Sequence, residues 1–205
     1  MTNYEQKLEN FMFSEIRGKK NLTILEFGVR NGISTKVFVK QCEENGGKVY
    51  SIDVNDCSGI LNSNHWKFIH SRDDNFEYLE KKLPEKFDII FLDSFHNANH
   101  VEKIFYHYFK KLKNGCYFYF DDISWIPYVK NNFRDNFNCE INNQETFFRL
   151  LQILNNNTDL IDLYFSFVSS GMAKVLKKND KQLLMPKKIN SRENSIKNIL
   201  RKIIT

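Results

Sequence analysis

Three carboxylates and a histidine stand where two buried strands should end. Phe87–Asp93 is a run, apolar but for Asp88, that stops at Asp93, and Cys116–Asp122 is another that stops at Asp121-Asp122. His96 lies three residues past Asp93, and His100 one helical turn further on. Acids gathered at one edge with no nearby basic run repel one another, so either some hold protons or a cation lies among them. Oxygen-only ligands favour a hard ion, Mg2+ first and then Mn2+ or Ca2+. Consecutive strand residues point to opposite faces, so one of Asp121 and Asp122 can face the ion while the other stands behind it. An imidazole just past Asp93 is placed to take a proton, which makes His96 the candidate base. The plain alternatives are solvated strand ends, a helix-start cap at His96, and a packing or orienting role for His100.

The elements between these residues explain why they should meet. Val101, Ile104, Phe105, Tyr108, Phe109 and Leu112 repeat at helical spacing, and Asn114-Gly115 reads as the stop signal. Strand, helix, strand is a crossover unit, with both strands ending on one edge of a parallel sheet. Ligands of open α/β sheets bind on that edge. Upstream, Leu22–Phe27 is the first strand and runs into Glu26-Phe-Gly28-Val-Arg30-Asn-Gly32-Ile-Ser34, a turn into a helix start with free N–H groups. Its Gly-x3-Gly spacing differs from the dinucleotide fingerprint. Lys48–Val54 is the next strand and carries Asp53 at its end, placed to accept both hydroxyls of a ribose. Together these features point to nucleoside binding.

Lys67–Ser71 is a short third strand, followed by Arg72 and a helix that Pro84 closes. Trp125 and Tyr128 follow the acidic pair as a candidate aromatic wall, and Asn131–Asn143 is a polar segment without periodicity. Phe147, Leu150, Leu151 and Leu154 mark another helix, and Leu163–Val168 and Met172–Leu176 form a hairpin around Ser169-Ser170-Gly171. At the N-terminus, Tyr4, Leu8, Phe11, Met12 and Ile16 share one helical face that Gly18 ends, a leading helix read as packing. The expectation is an α/β, Rossmann-like three-layer sandwich with a mostly parallel seven-stranded sheet and an antiparallel C-terminal hairpin.

The 205 residues are expected to form one domain over 1–180, with residues 1–18 as the leading helix. At 41% hydrophobic and 27% charged, the composition is that of an ordinary globule. The polar start reads as no signal peptide, and four cysteines without paired spacing read as reduced thiols of a cytoplasmic protein. The net charge of +5 is carried by residues 180–205, which hold seven basic and two acidic residues. No basic face is left on the domain, so no nucleic-acid partner is expected. Residues 181–205 read as a basic tail whose Ile196, Ile199, Leu200, Ile203 and Ile204 form a short amphipathic stripe. So short a helix must fold against its own domain, a second subunit of a homo-oligomer, or an anionic membrane surface.

The E-x-G-x-x-x-G-x-S turn, the acid after the second strand and the closing hairpin resemble the class I S-adenosylmethionine-dependent methyltransferases over residues 20–178. Within them, Asp93-Ser-Phe-His96-Asn-Ala-Asn-His100-Val101 looks like the D-x-x-H-x-x-x-H-V motif of metal-dependent sugar O-methyltransferases from macrolide pathways. Cephalosporin-hydroxylase-like proteins share a similar segment. The resemblance implies S-adenosylmethionine contacts at Glu26, Gly28, Arg30, Gly32, Ser34, Asp53, Ser71 and Arg72. It also implies Mg2+ held by Asp93, Asp121 and Asp122, with His96 as the base. The chain reads Ser71-Arg72-Asp73 where the family often has Gly-Asp. The implied activity is methyl transfer to a hydroxyl of a sugar or glycan. The rival readings are a catechol-type small-molecule O-methyltransferase and a non-catalytic S-adenosylmethionine-binding module.

Overall fold

The computed structural model describes residues 3–124, 137–189 and 195–204. Seven strands form one sheet in the order β3-β2-β1-β4-β5-β7-β6. β1 (Leu22–Phe27), β2 (Gly47–Asp53), β3 (Trp66–His70), β4 (Phe87–Leu92) and β5 (Leu112–Asp121) run parallel. β6 (Ile161–Ser166) and β7 (Met172–Lys177) close the far edge, with β7 antiparallel to both β5 and β6. The order reverses between β1 and β4, so the crevice beyond their ends is where a ligand belongs.

The mainly apolar central strands serve two cores at once. In β4, Phe87, Ile90 and Leu92 join one cluster while Ile89 and Phe91 join the other. The first cluster lies under α4 (Phe76–Glu80), α5 (Ala98–Phe109) and α6 (Phe137–Asn155), through Leu79, Phe105 and Ile153. The second lies under the N-terminal helix and α3 (Ile33–Asn45), through Leu8, Met12, Phe38 and Cys42. A strand buried on both faces has no reason to alternate polar and apolar residues.

The N-terminal helix is not uniform: α1 (Asn3–Leu8) widens into a π-helical stretch at Glu9–Phe13 before α2 (Ser14–Ile16). Such wide turns concentrate at functional sites. Several boundaries differ from the sequence reading, most of the expected strands by one or two residues and others by more. α5 ends at Phe109, and Leu112 opens β5 instead of closing the helix. Asn114-Gly115 therefore lies in a register shift of that strand, where Gly115 takes φ +74°, and is not a helix cap. The helix expected around Phe147 reaches back to Phe137, so part of the polar stretch 131–143 is helical. Trp125 and Tyr128 lie outside the described residues. The boundary expected after residue 180 also falls too early. Asn157 Oδ1 accepts the N–H of Leu184, and the N–H of Lys187 reaches Gln152 O, so this stretch still belongs to the domain. In α7 (Ile196–Ile204), Ile196, Ile203 and Ile204 are exposed. Among the described residues no helix is long and apolar enough to cross a membrane.

Candidate functional site

Strands β1 and β4 end so close together that only glycine fits between them. A Cβ on Gly28 would stand 2.0 Å from the carbonyl oxygen of Asp93. Ladder bonds continue past both strands, from Gly28 N to Ile52 O and from Asp93 N to Phe27 O, which fixes the two ends side by side. Two cavities open there, of about 590 and 630 Å3. Both are lined by Gly28, Arg30, Asp93 and Ser94, so they meet along one seam.

The first cavity runs over the ends of β2 and β3, past Asp53, Ser71, Arg72, Asp73 and His100. Asp53 accepts N–H bonds from Val29 (2.8 Å) and Arg30 (3.1 Å) on one oxygen and from Asn55 (2.8 Å) on the other. Burial works against its charge, but these bonds outweigh it and hold the carboxyl below the ordinary carboxylate range. Asp53 lines this cavity at the end of β2. Beside it, Asp73 is buried and accepts hydrogen bonds from Ser94 Oγ and, at 2.9 Å, from His100 Nε2. His100 is thus a group that orients Asp73. The Arg72 guanidinium is drawn away to Asp74 at 2.9 Å. The room left by Gly28, the acceptor at Asp53 and the cavity's size all fit the nucleoside of S-adenosylmethionine.

Glu26, Gly32 and Ser34 act one step behind that cavity. Glu26 is fully buried, and its carboxylate accepts from Ser34 Oγ (2.6 Å), Thr35 Oγ1 (2.7 Å) and Ser51 Oγ (2.6 Å). Burial raises it to about 7 against the pull of the three hydroxyls. It fastens the turn to α3 and β2 and lines neither cavity. Gly32 packs under Ile60, which a Cβ would meet at 2.5 Å. Gly28 and Arg30, by contrast, are at the seam, and Ser34 lines the second cavity.

The second cavity leads to the acids. Asp121 ends β5 and is buried, while Asp122 takes a left-handed φ of 54°. That turn cancels the alternation of a strand and brings both carboxylates to one side, with the Asp122 N–H donating to Asp121 Oδ1 at 2.8 Å. His96 lies between two of the acids, its Nε2 3.5 Å from Asp93 Oδ1 and 3.5 Å from Asp122 Oδ2. Burial disfavours the imidazolium, but Asp93 and then Asp122 outweigh it and raise His96 to about 9. The helix-start cap belongs instead to Asn97, whose side chain accepts the N–H groups of Asn99 and His100.

Two residues of α1 complete the cluster. Tyr4 Oη donates to Asp93 Oδ2 at 2.7 Å. Lys7, whose side chain is 0% exposed, puts its Nζ on Asp121 Oδ1, 2.7 Å from Ser170 Oγ and 3.9 Å from Asp122 Oδ1. Burial, and after it the charge of Asp93, drive the Asp121 carboxyl upward, and the contact with Lys7 pulls it back. These contacts correct the expected magnesium site. The acids do converge, but ammonium and imidazole groups of the chain stand among them. Among the described residues no group of three or more His, Cys, Asp or Glu side chains is set to hold a metal. A dication at Asp121 would have to share that carboxylate with a buried ammonium, so the donor set does not fit Mg2+.

The sequence reading assigned the N-terminal helix to packing, and so missed Tyr4 and Lys7; Ser170 escaped as a turn residue. One signal was available. Lys7 lies three residues after Tyr4 and four before Phe11, so a lysine sits on the inward, apolar stripe.

A family model for a methyltransferase domain matches residues 25–123. No curated protein compared matches the chain. Among solved structures it is similar to MycE, a methyltransferase from the mycinamycin biosynthetic pathway in complex with Mg, SAH and mycinamycin VI. The TM-score is 0.60 at 20% identity, over 89% of this chain and 50% of MycE. A putative caffeoyl-CoA O-methyltransferase from Staphylococcus aureus gives 0.59 at 18%, over 85% of this chain and 80% of that one. An SAH-bound methyltransferase from Podospora anserina gives 0.62 at 14%, over 86% of each. At these identities the likeness is one of fold, and the chain spans half the length of MycE.

Proposed function

We propose that this chain, a class I S-adenosylmethionine-dependent methyltransferase, moves the methyl group onto a hydroxyl of a sugar or glycan. The observation that carries the reading is the seam at Gly28, Arg30, Asp93 and Ser94, where the nucleoside cavity joins the cavity that holds His96. S-adenosylmethionine, when bound, supplies an electrophilic methyl group. Gly28 gives it backbone room, Asp53 accepts from its ribose, and Asp73 offers a buried carboxylate deeper in the same cavity. The acceptor hydroxyl enters on the other side of the seam. There His96 takes its proton at Nε2, and Asp93 and Asp122 stabilise the imidazolium that results.

The acceptor class follows from the lining. Arg30, Asn31, Ser34, Asp122 and Ser170 surround the second cavity with both donors and acceptors, which suits a ligand carrying several hydroxyls. The D-x-x-H-x-x-x-H-V resemblance from Asp93 to Val101 and the likeness to MycE support the same class.

A methyl-transfer assay on matched sugar and catechol panels tests this. Turnover on sugars is expected. His96→Ala should lower it by about 10²–10⁴-fold while calorimetry finds SAH affinity unchanged. A base raised to about 9 is mostly protonated at neutral pH, so the rate should climb with pH and level off near 9. Turnover on catechols alone would replace the acceptor class. SAH binding without turnover on either panel would reduce the chain to a binding module.

A further inference from the structure

The acid cluster contains its own cation. Lys7 Nζ has three N–H donors. It meets Asp121 Oδ1 and Ser170 Oγ, and it lies 3.9 Å from Asp122 Oδ1 and 4.7 Å from the centre of the Tyr4 ring. No water reaches it, since its side chain is 0% exposed. Burying an ammonium is costly unless it is paired, so its place at the strand ends is a specific feature of the fold. The helix is built to hold it there. One turn before Lys7, Tyr4 donates to Asp93, so α1 reaches the carboxylates of two neighbouring strands with residues three apart. Eight positions later Glu15 accepts from Tyr119 Oη at 2.9 Å and pairs with Lys174, tying the same helix to β5 and β7. The π-helical stretch lies between these two anchorages.

We propose that Lys7 is the resident cation of this site, occupying from within the chain the position that a divalent ion would take among the acids. The site then needs no divalent metal. Lys7 is a positioning residue. It holds Asp121, whose Oδ1 in turn receives the N–H of Asp122, and so fixes Asp122 opposite His96. The inference rests on the reading that the acceptor hydroxyl is handled at this cluster, and it adds how the cluster is kept together.

The test is metal binding, read without substrate. Mn2+ added to the unmodified protein and followed by electron paramagnetic resonance should stay free up to millimolar concentration. Lys7→Ala exposes the acids to one another and should gain one Mn2+ site, bound at least tenfold more tightly than anything in the unmodified protein. The double variant Lys7→Ala/Asp121→Asn should lose it again. Stoichiometric Mn2+ on the unmodified protein, abolished by Asp121→Asn, would overturn the proposal. So would a folded Lys7→Ala protein that gains no site. If Lys7→Ala does not fold, the unmodified protein and its Asp121→Asn variant decide alone. SAH titration run in parallel keeps the two ideas apart, because a failure to bind SAH would sink the methyltransferase reading of the cavities and leave the Mn2+ result standing.

Discussion

Asp53 and Asp121 end two strands of one sheet, β2 and β5, with β1 and β4 between them, yet the fold treats them in opposite ways. Asp53 is served by backbone N–H groups of Val29, Arg30 and Asn55, all close by, and its carboxyl is held low. Asp121 is buried, its Oδ2 has no partner among the described residues, and its carboxyl is driven upward. Its charge is answered by a lysine 114 positions earlier in the chain. Peptide dipoles compensate the first acid locally, whereas the second depends on one side chain delivered by another element. The difference teaches where each half of the site is vulnerable.

The largest effect should come from breaking the long-range half. Lys7→Met strands Asp121 without its cation and should cost about 3–5 kcal/mol of stability, measured by urea denaturation. Adding Asp121→Asn should recover most of that loss, and a double variant no more stable than the single one would mean the pair is not the cause. Asp53→Asn attacks the local half. It keeps the shape but loses acceptor strength, and should weaken SAH by about 1–3 kcal/mol in calorimetry, with Mn2+ behaviour unchanged. Equal affinity in a folded Asp53→Asn protein would remove the ribose from that acid.

Proton linkage sharpens the contrast, because the two halves should fail at opposite ends of the pH scale. His96 is raised from 6.5 to about 9, so its contribution is complete below 6.5 and is lost as pH rises through 9. Asp53 is lowered from 3.8, so its contribution is present above 3.8 and is lost as pH falls through its depressed value. Melting curves of His96→Gln and Asp53→Asn should therefore converge on the unmodified protein in alkali and in acid respectively. The smallest effect belongs to α7. Deleting residues 190–205 should change stability by less than about 0.5 kcal/mol and leave SAH affinity alone. Light scattering and pelleting with anionic vesicles would then report whether the exposed stripe of Ile196, Ile203 and Ile204 meets a second copy or a lipid surface.

The same division explains what could be read in advance. The crossover from β4 through α5 to β5, the glycine turn and Asp53 are each encoded within a few dozen residues, as periodicity and punctuation, and all were legible. So was the need for protons or a cation among Asp93, Asp121 and Asp122, because that is simple electrostatics. Which of these it would be depended on how a helix from the start of the chain docks on β5, and no local pattern carries that. The alternation rule placed Asp121 and Asp122 on opposite faces. A left-handed residue at 122 overrode it, a conformation that an aspartate tolerates but does not announce. Glu26 was misread for the converse reason: its position in the turn was right, but three hydroxyls from α3 and β2 had already claimed it.

The pairing of Lys7 with Asp121 and Ser170 also sets a schedule for the chain as it is made. The ribosome delivers Lys7 163 positions before Ser170. At about 5–20 residues per second, the lysine waits roughly 8–33 s for its last partner. Throughout that interval Leu8, Met12, Phe13 and Ile16 lack part of the surface that covers them, since Tyr119 and Met172 belong to the same cluster. The nucleoside half can close once β4 and the first turn of α5 are out, since Asp93, Ser94 and His100 line it, but the half that handles the acceptor cannot exist until the hairpin has been synthesised. A nascent chain stalled before β7 would thus be expected to hold SAH while its N-terminal helix remains a target for chaperones.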